Sequence, residues 1–416
     1  MRVLAICPHF EPDTAPTGVV MTRIVRELLG LGVDVDVVTS LPWYRNHAVE
    51  PEWRGKPMRR AIEPGLTITR LHPFPSNKGN LVARSVSFGA FTVEAAAWAV
   101  ARGGRPDVVF AMSPPITLGM AGYLAAKRWR APMVFNIQDV FPDAAVASGA
   151  ITNQRVIRTA ERLELSLYRK SAAVTVLSED LAENVSNKLG RSGRGPGRSP
   201  RIEVIPNFVD TQAIQPANRA TAYRDEFDLG DRIVVMYAGN VGHSQPLDLV
   251  LDAARHYRDR DDVVFVINGN GSERERLEAA AHDLTNLRFV DFQPVERLSE
   301  VLASADIHLV LLHEGLAAAS VPSKMYSILA AGRPILASVD RGTEVQRTLE
   351  TSNGGISTDA GDPDGFHRGL ALLIEQRQRR EEMGTAAREW VEQWHAPRQV
   401  AEQYLALFAA VQGAQK

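Results

Sequence analysis

One lysine of this chain stands where it could neutralise a bound phosphate. The segment Val321-Pro322-Ser323-Lys324 resembles the start of a helix, which places Lys324 in the first turn. A cation at that position is unfavourable with the helix dipole unless an anion binds there as well. The pattern therefore predicts a diphosphate held by Lys324 and by the free amides near Ser323. A solvated surface lysine is the alternative.

Two glycine-rich turns in the same half of the sequence could bring the backbone close to such an anion. The first turn holds Gly239, Asn240, Gly242 and Gln245, and the second, Asn268-Gly269-Asn270-Gly271, follows the next predicted strand. Glycine permits a close backbone approach, and the carboxamides of the first turn can donate hydrogen bonds to phosphate oxygens. Two such turns in one sheet predict a phosphate or a nucleotide nearby.

The first half of the sequence offers weaker candidates. Gly18 ends the loop that begins at Pro8 and stands where a helix begins, so free amides there could receive a phosphate or a sugar hydroxyl. A glycine required only by turn geometry is the alternative. Asp139 follows a predicted strand and could orient or deprotonate an acceptor hydroxyl, or it could only cap the loop. The G-x-G-x-x-G fingerprint is absent, which argues against an NAD-dependent dehydrogenase.

These candidates must be positioned by alternating strands and helices. Short apolar runs, each followed by a helical segment, predict one parallel, doubly wound sheet in each half of the chain. Ligands of such sheets bind outside the carboxyl ends of the strands. The predicted strands are 3–7, 33–39, 66–71, 107–111, 132–136 and a run from 201 in the first half, and 233–237, 263–267, 287–290, 307–312 and 334–337 in the second.

Length and composition fit a globular protein of two domains. The chain has 416 residues, of which 45% are hydrophobic and 23% charged. Cys7 is its only cysteine, which excludes a disulfide framework and a cysteine metal cluster and favours a reducing compartment. We expect no secretory signal at the amino terminus. The apolar stretch from Leu81 to Ala101 is interrupted by Arg84 and Glu94, which predicts a buried helix or a membrane-surface helix, not a spanning one.

The net charge of −2 conceals an asymmetry between the two halves. Residues 1–205 hold 26 Lys and Arg against 18 Asp and Glu, whereas residues 206–416 hold 21 against 31. A basic half suggests an anionic partner, such as a lipid headgroup or a diphosphate-linked acceptor, and ordinary surface variation is the alternative. Aromatic residues are not interleaved with the basic ones as a base-stacking surface requires, so nucleic acid is not an expected partner.

Together these motifs resemble the retaining glycosyltransferases of the GT-B fold, family 4. The closest likeness is to the branch that builds bacterial capsules, colanic-acid-type polysaccharides and O-antigens. It covers nearly the whole chain in the expected order. The segments that carry it are the loop from Pro8 to Gly18, residues 136–143 (Asn-Ile-Gln-Asp-Val-Phe-Pro-Asp), 204–210 (Val-Ile-Pro-Asn-Phe-Val-Asp), 239–242 (Gly-Asn-Val-Gly), 322–324 (Pro-Ser-Lys) and 331–334 (Ala-Gly-Arg-Pro).

The resemblance implies an α/β protein of GT-B fold, with two facing Rossmann-like, doubly wound domains and a cleft between them. Residues 1–210 would bind the acceptor, residues 211–397 would bind the nucleotide sugar, and the helix in 398–416 would pack back on the first domain. Each candidate residue then acquires an implied role in binding the two substrates. Gly239, Gly242, Gln245 and Gly269 with Pro322, Ser323 and Lys324 would hold the donor diphosphate, Phe292 and Gln293 would flank the base, Ser327 would lie near the ribose, and Gly18 and Asp139 would belong to the opposing, acceptor-binding domain.

The sequence departs from the broader family at two places. Two glutamates eight positions apart are replaced by Ala319 and Ser327, and Glu314 is out of register with them. An arginine and a lysine of the first donor-domain turn are replaced by Asn240 and Gln245. Lys324 therefore becomes the leading cation for the donor.

The expected function is glycosyl transfer, of a hexosyl or N-acetylhexosaminyl group, from a nucleotide sugar with UDP as the expected nucleotide. No metal and no other cofactor is expected. Lys324, the amides near Ser323 and Asn240 would stabilise the leaving UDP while an acceptor hydroxyl attacks from the same face, with retention. The acceptor would be a glycan, a polyprenyl-diphosphate-linked glycan or a small molecule. The expected location is the cytoplasm, with peripheral contact at the inner face of the cell membrane left open.

Two other classes of protein remain as alternatives on the same fold. The first is a sugar-nucleotide epimerase or hydrolase, which would consume the nucleotide sugar without an acceptor. The second is a non-catalytic scaffold in polysaccharide assembly, which the missing glutamates and arginine suggest.

Overall fold

The computed structural model describes residues 1–45, 47–55, 57–75, 81–143, 146, 151–191, 199–315 and 324–414. Contacts divide the chain into two compact units, Met1–Asn207 with Pro397–Lys416, and Phe208–Ala396. Each unit contains a predominantly parallel sheet whose strands alternate with helices along the chain. The predicted pair of Rossmann-like α/β domains is therefore confirmed.

The first unit contains an eight-stranded sheet in the order β3-β4-β2-β1-β5-β6-β7-β8. Every neighbouring pair is parallel except β3 and β4, which are antiparallel. The central strands are apolar and buried on both faces, as parallel strands are when helices cover both sides of a sheet. The strands are β1 (Arg2–Ile6), β2 (Asp34–Ser40), β3 (Met58–Glu63), β4 (Leu66–Leu71), β5 (Val108–Ser113), β6 (Met133–Ile137), β7 (Ala173–Val176) and β8 (Arg201–Val204).

The helices of this unit each bury one face. In the first helix Met21, Ile24, Val25 and Leu28 recur at helical spacing and face inward, and Gly32, at φ +79°, turns the chain toward β2. The helices are α1 (Pro16–Gly30), α2 (Leu81–Arg102), α3 (Leu118–Trp129), α4 (Gln154–Lys170) and α5 (Glu179–Arg191).

The second unit contains a six-stranded, wholly parallel sheet in the order β11-β10-β9-β12-β13-β14. Its strands are β9 (Ile233–Ala238), β10 (Val263–Asn268), β11 (Leu287–Val290), β12 (Ile307–Leu311), β13 (Ile335–Val339) and β14 (Gly355–Asp359). Its helices are α6 (Ala222–Glu226), α7 (Asp248–His256), α8 (Arg274–Ala280), α9 (Leu298–Ala303), α10 (Lys324–Ala330), α11 (Glu344–Ser352), α12 (Pro363–Glu375) and α13 (Arg377–Trp394).

The last helix, α14 (Pro397–Gly413), belongs to the first unit. Its Tyr404 and Phe408 rings pack against Phe110 of β5. The centroid of the Phe110 ring lies 5.1 Å from that of Tyr404 and 5.3 Å from that of Phe408. The sequence expectation for this helix, residues 398–416, and the expected division after residue 210 differ from these bounds by a few residues.

Three strands were missed by the sequence analysis, each for a physical reason. The edge strand β3 is largely exposed and reads Met-Arg-Arg-Ala-Ile-Glu, without an apolar run. Strand β7 is a buried run of only four residues, Ala-Val-Thr-Val, and β14 reads Gly-Ile-Ser-Thr-Asp and is half-buried throughout. In all three cases strand pairing, which is not a local property, decides the conformation.

The strand order reverses once in each sheet, between β1 and β5 in the first and between β9 and β12 in the second. Loops at such a reversal diverge to opposite faces and leave a crevice at the carboxyl ends of the strands. No helix among the described residues combines the length and the apolar character that crossing a membrane requires.

Candidate active site

The ammonium group of Lys324 lies over the ring of Tyr237, with Nζ 3.8 Å from the ring centroid. Tyr237 is fully buried near the carboxyl end of β9. The same Nζ lies 3.2 Å from the position that a Cβ on Gly239 would take. These contacts place the predicted lysine at the strand-order reversal of the second sheet, against the first glycine-rich turn.

Within the described part of the chain, the surroundings of Lys324 supply little hydration and no counter-ion. The residue is half-buried, and no carboxylate among the described residues forms an ion pair with it. Desolvation of the ammonium lowers the pKa of Lys324 to about 7. The cation–π contact with Tyr237 offsets part of that cost, by about 1–2 kcal/mol. An anion bound at this place would neutralise the charge of the Lys324 ammonium.

The turn from Gly239 to Gln245 is held by hydrogen bonds around one carbonyl. The Tyr237 hydroxyl donates to the Asn240 oxygen at 2.6 Å. The Gln245 carboxamide lies 3.2 Å from the carbonyl oxygens of both Asn240 and Gly242, so the orientation that satisfies its hydrogen bonds turns its nitrogen toward them. The nitrogen of Gln245, expected to contact the donor phosphate, is therefore engaged inside the turn, whereas the Asn240 side chain is exposed.

The glycines of the two turns allow backbone to pack against backbone. A Cβ on Gly269 would lie 1.8 Å from the Gly239 oxygen, and one on Gly271 would lie 2.2 Å from the Val241 oxygen. Gly269 has φ +157° and Gly239 has φ +150°. The Val241 amide donates to the Asn270 oxygen at 3.0 Å, which ties the turns together. Gly269 is thus required by loop packing, independently of any ligand.

Gly242 is small for a related reason. A Cβ there would come within 2.6 Å of Asn240 Nδ2 and 3.6 Å of the Gln245 carboxamide. The loop after β12 joins the same assembly, because the His313 amide donates to the Ser244 oxygen at 3.2 Å. Three loops at the carboxyl edge of the second sheet therefore form one connected surface beside Lys324.

The remaining donor-domain candidates lie in two places. Phe292, in the loop after β11, exposes 58% of its surface. Gln293 beside it donates to the Asp291 oxygen at 3.1 Å and accepts from Arg297 Nη1 at 2.8 Å. Ser327 lies one turn beyond Lys324 on α10 and is half-buried. Pro322 and Ser323 lie outside the described residues.

In the first unit, Asp139 follows β6 at the carboxyl edge of the sheet and reaches solvent. Neighbouring protein nevertheless reduces its hydration, and this desolvation raises the pKa of Asp139 above its ordinary value. A carboxyl group with a raised pKa at a strand end is suited to accept a proton from a bound hydroxyl. Gly18 lies in the first turn of α1, where a Cβ would meet His9 Cβ at 2.8 Å.

A histidine–aspartate pair at the end of β1 was missed by the sequence analysis. His9 Nδ1 lies 2.7 Å from Asp13 Oδ2, and both side chains are buried. Asp13 Oδ1 accepts from the amides of Thr14 and Tyr44. If Nδ1 carries the proton, the carboxylate fixes the ring and leaves Nε2 as an acceptor. The spacing of four residues inside a proline-rich loop gives no signal of this pairing, which the loop's fold creates.

The motif around residues 136–143 is mainly structural. Asn136 Nδ2 donates to Thr175 Oγ1 at 3.0 Å and to the Tyr404 hydroxyl at 2.8 Å. Gln138 Nε2 donates to Asn136 Oδ1 at 2.8 Å, and Asn207 Nδ2 donates to Gln138 Oε1 at 2.9 Å. This chain of amides fixes the end of β6, two residues before Asp139.

No group of three or more His, Cys, Asp or Glu side chains is arranged to hold a metal ion within the part of the chain that the structure describes. The expectation of metal-independent transfer stays a prediction.

Two family models match the chain in succession. Residues 17–207 match a glycosyl transferase 4-like domain, and residues 220–390 match the glycosyl transferases group 1. The chain is 26% identical over 417 residues to WcaI of Escherichia coli strain K12, described as a colanic acid biosynthesis glycosyl transferase. The match covers 97% of this chain and 99% of that protein.

Solved structures share the fold at low identity. Sucrose-phosphate synthase from Thermosynechococcus elongatus superposes with a TM-score of 0.73 at 15% identity, over 100% of both chains. HepE of Anabaena, in complex with UDP and glucose, gives a TM-score of 0.66 at 14% identity, over 99% of this chain and 100% of the other.

Proposed function

Because this chain belongs to the GT-B glycosyltransferases, we propose that it transfers a hexosyl or N-acetylhexosaminyl group from a UDP-linked donor, with retention and without a metal. The proposal is carried by the Lys324 ammonium, which lies over the Tyr237 ring beside the Gly239 turn. This ammonium is desolvated and has no carboxylate partner among the described residues. A nucleoside diphosphate supplies the missing negative charge. The structure of HepE in complex with UDP and glucose supports UDP as the nucleotide.

Transfer breaks the bond between the anomeric carbon and the diphosphate oxygen and leaves the electron pair on the departing UDP. Positive charge develops at the anomeric carbon and negative charge on the leaving group. In this proposal Lys324 stabilises that negative charge, and the Asn240 carboxamide and the amides near Ser323 assist it. The acceptor hydroxyl attacks from the same face of the sugar, and Asp139 orients it or takes its proton.

The proposed acceptor is a glycan, a polyprenyl-diphosphate-linked glycan or a small molecule. The description of WcaI as a colanic acid biosynthesis enzyme supports a polysaccharide pathway. We also propose a cytoplasmic location, where a lipid-linked acceptor would require peripheral contact with the inner face of the cell membrane.

The proposal is tested by screening nucleotide sugars for thermal stabilisation and then measuring product masses with candidate acceptors. We expect a UDP-sugar to stabilise the protein and an acceptor to gain the mass of one sugar residue. Consumption of the nucleotide sugar without an acceptor product would instead identify an epimerase or a hydrolase. The absence of any nucleotide-dependent stabilisation would contradict the proposal.

Donor binding should weaken as the pH rises above 7. The pKa of Lys324 is about 7 in the free protein, and a bound diphosphate favours the charged form, so binding must take up a proton at higher pH. We expect the Kd for a UDP-sugar to rise up to about tenfold per pH unit between pH 7.5 and 9. Calorimetry in buffers of different ionisation enthalpy measures the proton uptake directly.

The matched control is Lys324→Arg, because a guanidinium stays charged over this whole range. This variant should bind the donor with little dependence on pH and without proton uptake. The same pH dependence in Lys324→Arg as in the wild type would assign the titration to another group.

Asp139→Asn should lower kcat about 10²-fold or more and leave donor affinity unchanged, because the amide keeps the size of the side chain but cannot accept the hydroxyl proton. Initial rates at saturating donor and acceptor measure the effect. His9→Gln is the comparison variant, since His9 Nε2 is the other candidate proton acceptor at this edge of the sheet. A larger loss in His9→Gln, with Asp139→Asn near wild type, would move the role to His9.

A further inference from the structure

A cavity of about 910 Å³ opens at the amino-terminal edge of the first sheet, away from the carboxyl edge that holds Asp139 and His9. Its floor is formed where β6, β7 and β8 begin, by Pro132 and Met133, Ser171 and Ala172, and Pro200 and Arg201. Since β6 has five residues, the two edges lie roughly 15 Å apart. The cavity is therefore separate from the proposed chemistry.

The lining of this cavity is basic. Five cationic side chains contribute to it, and no carboxylate of the described residues does: Lys127, Arg130, Arg169, Lys170 and Arg201. Three elements supply them, namely the end of α3, the end of α4 and the start of β8. Residues of α14, including Ala410 and Val411, close the remaining side with small apolar groups.

The helix carboxyl termini account for some of the basic residues of the cavity, but they do not balance the total positive charge. Basic residues are favourable in the last turns of α3 and α4, because a helix carboxyl terminus carries about −0.5 of an elementary charge. Two such ends supply about −1 against five formal positive charges. Arg201 is paired with Glu203 at 2.7 Å, which leaves an excess of positive charge on the two helices.

Individual contacts also leave this charge available. Lys127, Arg130 and Lys170 form no ion pair within the described part of the chain, and all three are exposed. Lys170 Nζ lies 4.8 Å from the centroid of the Tyr123 ring, which holds this ammonium at the wall of the cavity. Arg130 follows α3 in the left-handed conformation, at φ +54°, which ends the helix at the rim.

We infer that this cavity is a second anion site, which takes a phosphate-bearing ligand through the cations of α3, α4 and β8. Arginine and lysine together suit a phosphate group, because the guanidinium offers a planar pair of donors and the ammonium a compact charge. The phosphate can come from a lipid headgroup or from a soluble phosphorylated molecule. The inference is independent of the proposed function, because no residue of the cavity takes part in donor or acceptor chemistry.

The test compares two double variants of the full chain that remove equal charge from the same two helices. Lys127→Ala with Lys170→Ala removes cations of the cavity. Arg128→Ala with Arg158→Ala removes exposed cations of α3 and α4 that do not line it. Both variants retain Lys324, so binding at the second sheet is common to them and their difference reports the cavity. Equal melting temperatures establish that both are folded.

The soluble probe is inorganic pyrophosphate, titrated by calorimetry. The membrane probes are vesicles of phosphatidylcholine alone and of phosphatidylcholine mixed with phosphatidylglycerol, tested by co-sedimentation. We expect the cavity variant to lose about tenfold or more in affinity relative to the control, since two lysines that face the bound anion are removed. A loss with pyrophosphate alone identifies a soluble ligand, and a loss with the anionic vesicles identifies a lipid headgroup. Equal binding of both variants to every probe would overturn the inference.

Discussion

Lys324→Met is expected to lower kcat/KM about 10²-fold or more with the nucleotide sugar that the protein accepts. Methionine keeps an unbranched apolar stem against Tyr237 and removes only the charge. In the wild type Nζ lies 3.8 Å from the Tyr237 ring centroid and close to Gly239, where the departing diphosphate would gain negative charge. The loss of one preoriented group that stabilises a leaving group costs about 3–4 kcal/mol of transition-state stabilisation.

Initial-rate kinetics separate this effect from a loss of structure. Arg276→Met is the matched control, because Arg276 is an exposed cation at α8 that pairs with Asp248 and Glu273 on the protein surface. It should keep wild-type kcat/KM. If Lys324→Met instead keeps wild-type kcat/KM at an unchanged melting temperature, the leaving-group role of Lys324 is wrong, although the fold assignment is unaffected.

Gly269→Ala is expected to destabilise the second domain by about 3–5 kcal/mol. Its Cβ would lie 1.8 Å from the Gly239 oxygen, and the backbone of Gly269, at φ +157°, is one that L-residues rarely adopt. Overpacking and backbone strain each cost about 1–3 kcal/mol. Because the opposing atom belongs to the backbone, the clash cannot be relieved by a side-chain rotation. Denaturant unfolding, followed by a probe in this domain, measures the loss.

The control Gly361→Ala separates the cost of backbone strain from the cost of a steric clash. Gly361 also has a positive φ, of +80°, but a Cβ there meets nothing within 4 Å. This control should cost only about 1–2 kcal/mol. The turn from Gly239 to Gln245 should also shift in Gly269→Ala, so donor binding should fall even where the protein remains folded. Equal stability of the two variants would show that the two turns are not packed as described.

The two predictions probe different properties of one surface. The charge of Lys324 acts on a ligand, whereas the missing side chain of Gly269 acts on the loops that carry the ligand's contacts. The first should change kinetics with little change in stability, and the second should change both. A glycine in a turn of this kind is therefore weak evidence for a ligand, since the neighbouring backbone alone can require it.

Features that depend only on neighbouring residues could be predicted from the amino-acid sequence. The alternation of apolar runs and helical segments fixed two α/β domains, because burial imposes its period on each element separately. The same local reasoning identified Lys324 beside a helix start and the glycine-rich turn after β9.

Contacts between residues that are far apart in the chain could be identified only from the folded protein. Strand order brings Lys324 onto Tyr237 and Gly269 against Gly239, and the fold of the first loop pairs His9 with Asp13. The basic cavity arises in the same way, from the ends of two helices and the start of a strand that are far apart in the chain. Such contacts follow from the order of strands in a sheet, and no periodicity within one element encodes that order.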